Sequence, residues 1–320
     1  MNRRFAIIQA LVSLVALAAV VWWASRQDSP HIPTDRGAIA WLVAAVGLYA
    51  VASLVRGERW HRILELTGVH ARRVDCYALT AVGYMGNNVL PARAGEALRV
   101  VLLAQRSDGS KRTLLGSVVA ERVLDLIALL MIFVVTVYGV LSTSEVLPTD
   151  HPLVVTGIGV GLVLAAAVAI WVLRAHHIFE RARDWLRPLA DAPRAILNRH
   201  GLVLLAGTFV LWALEATVYL AVARAIDLDF SVSGALYLVA LTNFVAALPA
   251  APGSIGTFDA AVVFGAKALG ASGSAALSYV ILLRFVLYVP ITVVGLVVLV
   301  ARYGGWSRLR SAARLEASRA

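Results

Sequence analysis

GNNVLPARAGEALR, residues 86–99, packs two Asn, a Pro, two Gly, two Arg and a Glu between apolar runs. Its reading decides the fold, because the chain around it has the composition of a membrane protein. Of 320 residues, 60% are hydrophobic and 15% charged, with a mean hydropathy of +0.80. A soluble domain carries charge on roughly a quarter of its residues. Apolar runs at 5–24, 38–55, 113–141, 152–173, 201–223 and 278–301 approach or exceed the roughly 20 residues a helix needs to cross a bilayer. The first run follows Arg3 and Arg4 as a signal peptide would. It is long for one and ends in WWASRQ without a small-x-small cleavage site, so a retained helix is expected. The lone Cys76 excludes an internal disulfide and a multi-cysteine metal site. The net charge of +10 is spread between apolar runs, which points to membrane orientation and anionic lipid headgroups rather than nucleic acid.

The loops divide by charge. Basic residues mark Arg3 and Arg4, segment 56–75 with Arg56, Arg59, Arg62, Arg72 and Arg73, segment 105–112, segment 174–200 and the tail after Ala301. Segments 25–37, 142–151 and 224–230 are balanced or acidic. Positive residues favour the cytoplasm, so both termini are expected inside a cytoplasmic, multi-pass membrane protein. Segments 56–75 and 105–112 are both basic, so the chain between them must return to its own side. Two half-length helices, 76–90 and 94–104, turning at Pro91 and Gly95, satisfy this as a re-entrant hairpin. NFVAALPAAPGSIGTFD, residues 243–259, repeats the device with Pro249, Pro252, Gly253 and Gly256, and its flanks lie on the opposite side.

The two stretches head matching units, 38–142 and 201–301, joined by a link helix at 152–173 within one transmembrane domain, 1–320. Asn88, Pro91, Gly95 and Glu96 correspond loosely to Asn243, Pro249, Gly256 and Asp259, and each hairpin precedes a helix bearing an arginine, Arg122 or Arg284. The expected fold is an all-α polytopic membrane protein of about six full transmembrane helices plus two oppositely oriented re-entrant hairpins in an inverted repeat. Interrupted segments at matching positions of inverted halves point to a transporter's binding site, because broken backbone at membrane depth is tolerated only inside protein or along a wet cavity.

Charges in these segments cost at least about 2.5–3.5 kcal/mol each at mid-membrane, so they pair or face water. The candidate substrate-binding set is Asn88, Arg93, Glu96, Arg99, Glu121, Arg122, Asp125, Glu215, Asp259 and Arg284. Arginines can grip a headgroup phosphate bidentately and helix N-termini can hold an anion, whereas the acids either bind a cation or neutralise the arginines. Glu215, alone in mid-helix, fits a neutral acid or a cation path equally. Lys267 is read as snorkelling. Apolar stripes among arginines at 56–67 and 178–189 read as helices lying on an anionic surface. The histidines lie in or beside loops, so no metal site is expected. The chain has no GxxxxGK[ST] loop and no H-E-x-x-H, and no cofactor or catalytic residue is assigned.

GNNVLPARAGEALRVVLLA, SVVAERVLDLIALL and LPAAPGSIGTFDAA together resemble the lysylphosphatidylglycerol synthase transmembrane (flippase-like) family over roughly residues 40–300. That family includes the flippase half of bacterial multiple-peptide-resistance proteins, and relatives linked to hopanoid or lipid-linked sugar transport. The resemblance implies one hairpin site at Asn88, Pro91, Arg93, Gly95, Glu96 and Arg99, a helix site at Glu121, Arg122 and Asp125, and a second hairpin at Pro252, Gly253, Gly256 and Asp259. Many relatives have Pro-Gly-Gly where this chain has Pro252, Gly253 and Ser254, and often Glu in place of Asp259. Lysyl-lipid synthesis by this chain is not expected. The leading expectation is a lipid translocase for an anionic, aminoacylated or sugar-linked lipid, whose headgroup passes between the hairpins. The alternatives are a non-transporting lipid-binding partner of a synthase or glycosyltransferase, and a membrane transferase using Glu121 and Asp125. Expected protein partners are a second copy or a lipid-modifying enzyme.

Overall fold

Asp35 opens the first long helix, its carboxylate accepting from the Ala38 backbone N–H at 2.9 Å, and α1 then runs unbroken over Arg36–Leu66. The computed structural model describes residues 14–15, 17–30, 32–90, 93–141, 199–247 and 251–304. The expected link helix, the stripe at 178–189, Pro91 and Pro249 lie outside these residues. The described elements continue with α2 (Arg73–Val89), α3 (Gly95–Ala104), α4 (Lys111–Leu141), α5 (Arg199–Arg224), α6 (Val232–Ala247), a short 3-10 turn at Pro252–Ser254, α7 (Thr257–Ala268) and α8 (Gly273–Tyr303). All regular structure among the described residues is helical. The helices α1, α5 and α8 are long and apolar enough to cross a membrane. The fourth long helix, α4, carries Glu121, Arg122 and Asp125.

The elements fall into two sets of the same order: long, short, short, long. The short helices have 17 and 10 residues in the first set and 16 and 12 in the second. At about 1.5 Å per residue none reaches the roughly 30 Å of a hydrocarbon core. Each short pair packs antiparallel. Gly86 and Gly83 of α2 face Gly95 at the start of α3, so closely that a Cβ on Gly86 would stand 2.6 Å from the Gly95 Cα. In the second pair Gly265 lies under Leu238 and Leu241. Exchanging the sets preserves the packing: α2 lies on α8 as α6 lies on α4, α3 on α4 as α7 on α8, and α1 crosses to α5.

The helix α8 serves as a ruler for both pairs. At its C-terminal end Arg302 and Tyr303 bond Asp75, at the base of the first pair, at 2.9 and 3.1 Å. Asp75 also accepts from Arg72 at 3.0 Å and from Arg106 at 3.4 Å, which ties together both chain ends of that pair. The tip of the pair reaches Thr292, where the Asn88 amide donates at 2.8 Å. Eleven residues separate Thr292 from the last helical residue, Tyr303, or about 16 Å. From the other end, Phe230 beside the base of the second pair packs edge-on against Tyr279 at 5.4 Å. The tip of that pair meets Arg284, which donates to the Gly253 carbonyl at 3.1 Å and lies eleven residues after the helix start. Both pairs turn back near the middle of α8, from opposite ends. There the tips touch: Arg93 Nη1 donates to the Ala246 carbonyl at 3.1 Å.

The structure corrects the reading of 56–67. That segment continues α1 instead of lying on a surface, and Trp60, Ile63 and Leu64 are fully buried. Buried residues on α1 recur at Ala45, Tyr49, Ala52, Arg56, Arg59 and Ile63, one continuous stripe against α5 and α4. His61 is likewise buried within α1 rather than beside a loop. The short helices begin at Arg73 and Gly95, a few residues from the expected 76 and 94.

Candidate functional site

The stripe on α1 delivers two guanidinium groups into the interior. Arg56 is 4% exposed and pairs with Glu215 of α5, itself 5% exposed. Its charge lies 5.4–5.8 Å from the ring centres of Tyr49, Tyr84 and Trp212. The electron-rich ring faces stabilise the cation where water is excluded. One turn on, Arg59 donates to Asp125 at 2.6 Å and to Thr208 at 3.1 Å, and stands 3.6 Å from Glu121. Glu121 is shared with Arg99, whose guanidinium lies 4.5 Å from the Trp60 ring. The Trp60 indole N–H donates to Ser117 at 2.9 Å. Removing one member of such a set strands a charge away from water, at a cost of about 3–5 kcal/mol.

Arg122 links this cluster to the first hairpin, 3.5 Å from Glu96 and 3.4 Å from Asp125. The second set has the equivalent contact. Arg284 donates to Asp259 at 2.7 Å, and Asp259 accepts with its other oxygen from the Gly256 N–H at 2.8 Å, capping the start of α7. The arginines that matched in sequence therefore each reach the acid of their own hairpin.

Between the two tips lies a cavity of about 110 Å³. Arg56, Arg93, Arg122, Glu96 and Glu215 bring charge to it. Tyr49, Tyr84, Trp212, Tyr219 and Tyr288 form its aromatic wall, and Asn87, Asn88 and Asn243 add amides. A smaller space of about 10 Å³ adjoins it beside Thr80, Arg99 and Glu121. Four polar atoms on the main wall are buried and without a hydrogen-bond partner: Arg56 Nη1, Arg122 Nε, Trp212 Nε1 and Asn87 Oδ1. Two non-glycine residues at its edge, Arg93 (φ 52°) and Ser254 (φ 49°), hold left-handed backbone. Strain of this kind costs on the order of 1–3 kcal/mol and gathers at functional sites. Ser254 is also where many members of the resembled family have glycine, which takes that conformation without strain.

Of the residues singled out in the sequence, Asn88, Arg93, Glu96, Arg122, Glu215 and Gly253 line the cavity. Arg99 and Glu121 line the smaller space, and Asp125 stands behind both as the partner of Arg59 and Arg122. Asp259 and Arg284 bond each other and the second tip, off the cavity wall. Glu215 is no solitary acid, because Arg56 neutralises it. Lys267 is exposed, 5.7 Å from the Trp23 ring. Sequence reasoning missed Arg56, Arg59 and the aromatic wall. The signal was the spacing of Tyr49, Arg56 and Ile63, seven residues apart on one face of an unbroken helix.

A sequence model of the lysylphosphatidylglycerol synthase TM region matches residues 7–295. The chain belongs to this family. Among curated relatives, a UPF0104 membrane protein of Methanothermobacter thermautotrophicus is 22% identical over 90% of this chain and 93% of its own length. Glycosyltransferase AglD of Haloferax volcanii is 25% identical over 88% of this chain, which spans only 52% of that longer protein. A UPF0104 membrane protein of Methanocaldococcus jannaschii is 30% identical over 31% of this chain and 30% of its own length. No solved structure matches. The family, the long apolar helices and these relatives make the chain a multi-pass membrane protein.

Proposed function

We propose that this protein is a lipid translocase of the cytoplasmic membrane, moving a polar headgroup between two re-entrant hairpins while the lipid tail stays in the bilayer. The observation that carries the reading is the meeting of two short-helix hairpin tips half-way along α8, around a cavity lined by charge. A 31-residue helix is about 46 Å long, so its middle falls near the bilayer centre when it spans. Hairpins that turn back there from opposite ends enter from opposite faces, as an inverted repeat over 38–142 and 201–301 requires. Irregular backbone beside a polar cavity at that depth is the setting of a transported substrate. With both termini in the cytoplasm, the Asp75 clamp lies at the inner face. The buried acids are engaged by arginines, which favours transport over chemistry at Glu121 and Asp125.

Reconstitution into liposomes with fluorescent lipids tests this reading. Transfer of at least one headgroup class between leaflets is expected, slowed by Arg122→Ala. Absence of transfer for every phospholipid and glycolipid tried would end it. One observation favours a second reading, a lipid-holding module for a transferase: the relative named a glycosyltransferase is nearly twice as long as the matched region. Bound lipid without transfer, together with co-purification of a soluble transferase, would select that reading.

A further inference from the structure

The donors left over in the cavity name the headgroup. Three arginines line it, Arg56, Arg93 and Arg122, against two carboxylates, Glu96 and Glu215. The layer behind is balanced, with Arg59 and Arg99 against Glu121 and Asp125. Arg284 and Asp259 cancel beside the second tip. Over these residues the arginines outnumber the carboxylates by one, and the surplus is Arg93, exposed at the edge of the cavity it lines. The contacts agree with the count. Arg93 donates to a neutral carbonyl, that of Ala246, and no carboxylate stands within ion-pair distance of it among the described residues.

Three of the four unpartnered atoms on that wall give the same sign, Arg122 Nε among them, and the exception is the acceptor Asn87 Oδ1. Arg56 Nη1 and Trp212 Nε1 are N–H donors, both buried, both on the wall of the 110 Å³ cavity. Arg56 is 4% and Trp212 is 4% exposed. A buried donor left unmade costs about 1–3 kcal/mol, so two on one wall describe a ligand rich in acceptors. They also lie close together, since the Arg56 guanidinium carbon is 5.7 Å from the Trp212 ring centre. The rings of Tyr49, Tyr84 and Trp212 around that guanidinium, with Glu215 on its other nitrogen, fix its direction before any ligand arrives. A fixed fork of N–H groups is suited to phosphate oxygens. By the measure in which one water needs about 10–15 Å³, the cavity has room for several waters, or for one tetrahedral group in their place.

We infer that the cavity selects a lipid headgroup carrying a single negative charge, a phosphodiester, and that Arg56 Nη1 and Trp212 Nε1 are the donors that hold it. A cationic headgroup would add to the uncompensated charge, and a diphosphate would exceed it. This rests on the translocase reading for the route, but the selectivity is a property of the site itself, and binding tests it separately.

The full chain in a neutral detergent is titrated with dioctanoyl phosphatidylglycerol, its phosphatidylcholine counterpart, a dioctanoyl trimethylammonium lipid and free glycerol phosphate, with binding read by native mass spectrometry. Phosphatidylglycerol is expected to bind at least tenfold more tightly than the zwitterionic and cationic lipids. Trp212→Phe keeps an aromatic ring, though a smaller one, removes the N–H donor, and should weaken phosphatidylglycerol alone by about tenfold. Arg56→Gln should do the same more severely. Because it strands Glu215, the phenylalanine variant decides the matter if the glutamine variant does not fold. Equal binding of all three lipids, tighter binding of the cationic lipid, or an unchanged affinity in Trp212→Phe would overturn the inference. Glycerol phosphate binding as tightly as the lipid would overturn its assignment to a lipid. Selective binding without transfer in liposomes would remove the translocase and leave the site. Transfer that ignores headgroup charge would do the reverse.

Discussion

The first hairpin depends on an approach that only glycine permits, and Gly95→Ala tests it. A Cβ built at Gly95 stands 2.5 Å from the Asn87 backbone nitrogen and closer still to the Gly83 carbonyl oxygen. Both neighbours are main chain, so no side-chain rotation relieves the overlap. Ordinary contact begins near 3.4 Å, so α2 and α3 must separate by more than about 1 Å beside Gly95. Extra atoms forced into a packed interior typically cost about 1–3 kcal/mol, and a clash between two backbones lies at the upper end. The displaced residues, Asn87 and Glu96, line the cavity, so headgroup transfer in liposomes should fall along with stability. Gly47→Ala is the matched control: Gly47 is exposed on α1 with nothing within 4 Å of its built Cβ. Thermal unfolding in detergent, followed by size-exclusion chromatography, should show a lower midpoint for Gly95→Ala and an unchanged or higher one for Gly47→Ala, since alanine is favoured over an unpacked mid-helix glycine by up to about 1 kcal/mol. If the two variants unfold at the same temperature, the two helices do not meet as described.

Three further outcomes follow from the buried charges. Arg56→Gln and Glu215→Gln should each cost about 3–5 kcal/mol by stranding a charge, while the double variant recovers much of the loss. Additive losses in that thermal-unfolding cycle would show that the pair is not coupled. Arg59→Ala should be similarly severe, whereas Arg62→Ala, whose side chain is 56% exposed, should change stability by no more than about 0.5 kcal/mol. Equal midpoints for these two would contradict the burial of Arg59. At the base of the first hairpin, burial would raise the Asp75 carboxyl, but hydrogen bonds from Arg72, Arg302 and Tyr303 and the Arg302 charge hold it below the usual range. A depressed carboxyl stabilises the fold above its unfolded value, roughly 3.9, and that stability is lost as pH falls through the folded value. Asp75→Asn should therefore unfold more easily at pH 7 and lose less than the parent on acidification. A parallel pH profile for both would refute the clamp.

The hairpins were legible because their signals are covalent. Clustered proline and glycine at 91, 95, 249, 252, 253 and 256 are a breaker signal that is read locally, and charge in the flanking loops needs no tertiary knowledge. Arg122 and Arg284 could be matched for the same reason, through their distance along the chain from the hairpins. What pairs with what could not be read this way. Glu215 lies 159 positions from Arg56, and nothing local to either names the other.

The error at 56–67 shows where loop-charge counting stops. An arginine counts alike toward membrane orientation whether it faces phosphate in water or a carboxylate inside the protein. Arg62, Arg72 and Arg73 still count toward a basic loop once Arg56 and Arg59 are discounted, so what changes is the reading of the site. The distinction lay in periodicity. A helix resting on a membrane surface sets its arginines beside an apolar face. On α1 the arginines instead fall on that face, continuing the line of Ala45, Tyr49 and Ala52 toward Ile63. Two cations in register with a buried stripe require buried partners, because each would otherwise be left uncompensated at several kcal/mol. Glu121, Asp125 and Glu215 supply the acids on α4 and α5, the helices against which α1 packs. One of these two cations, Arg56, keeps a donor unspent at the cavity wall, and that spare donor is what turns a structural ion pair into a candidate headgroup contact.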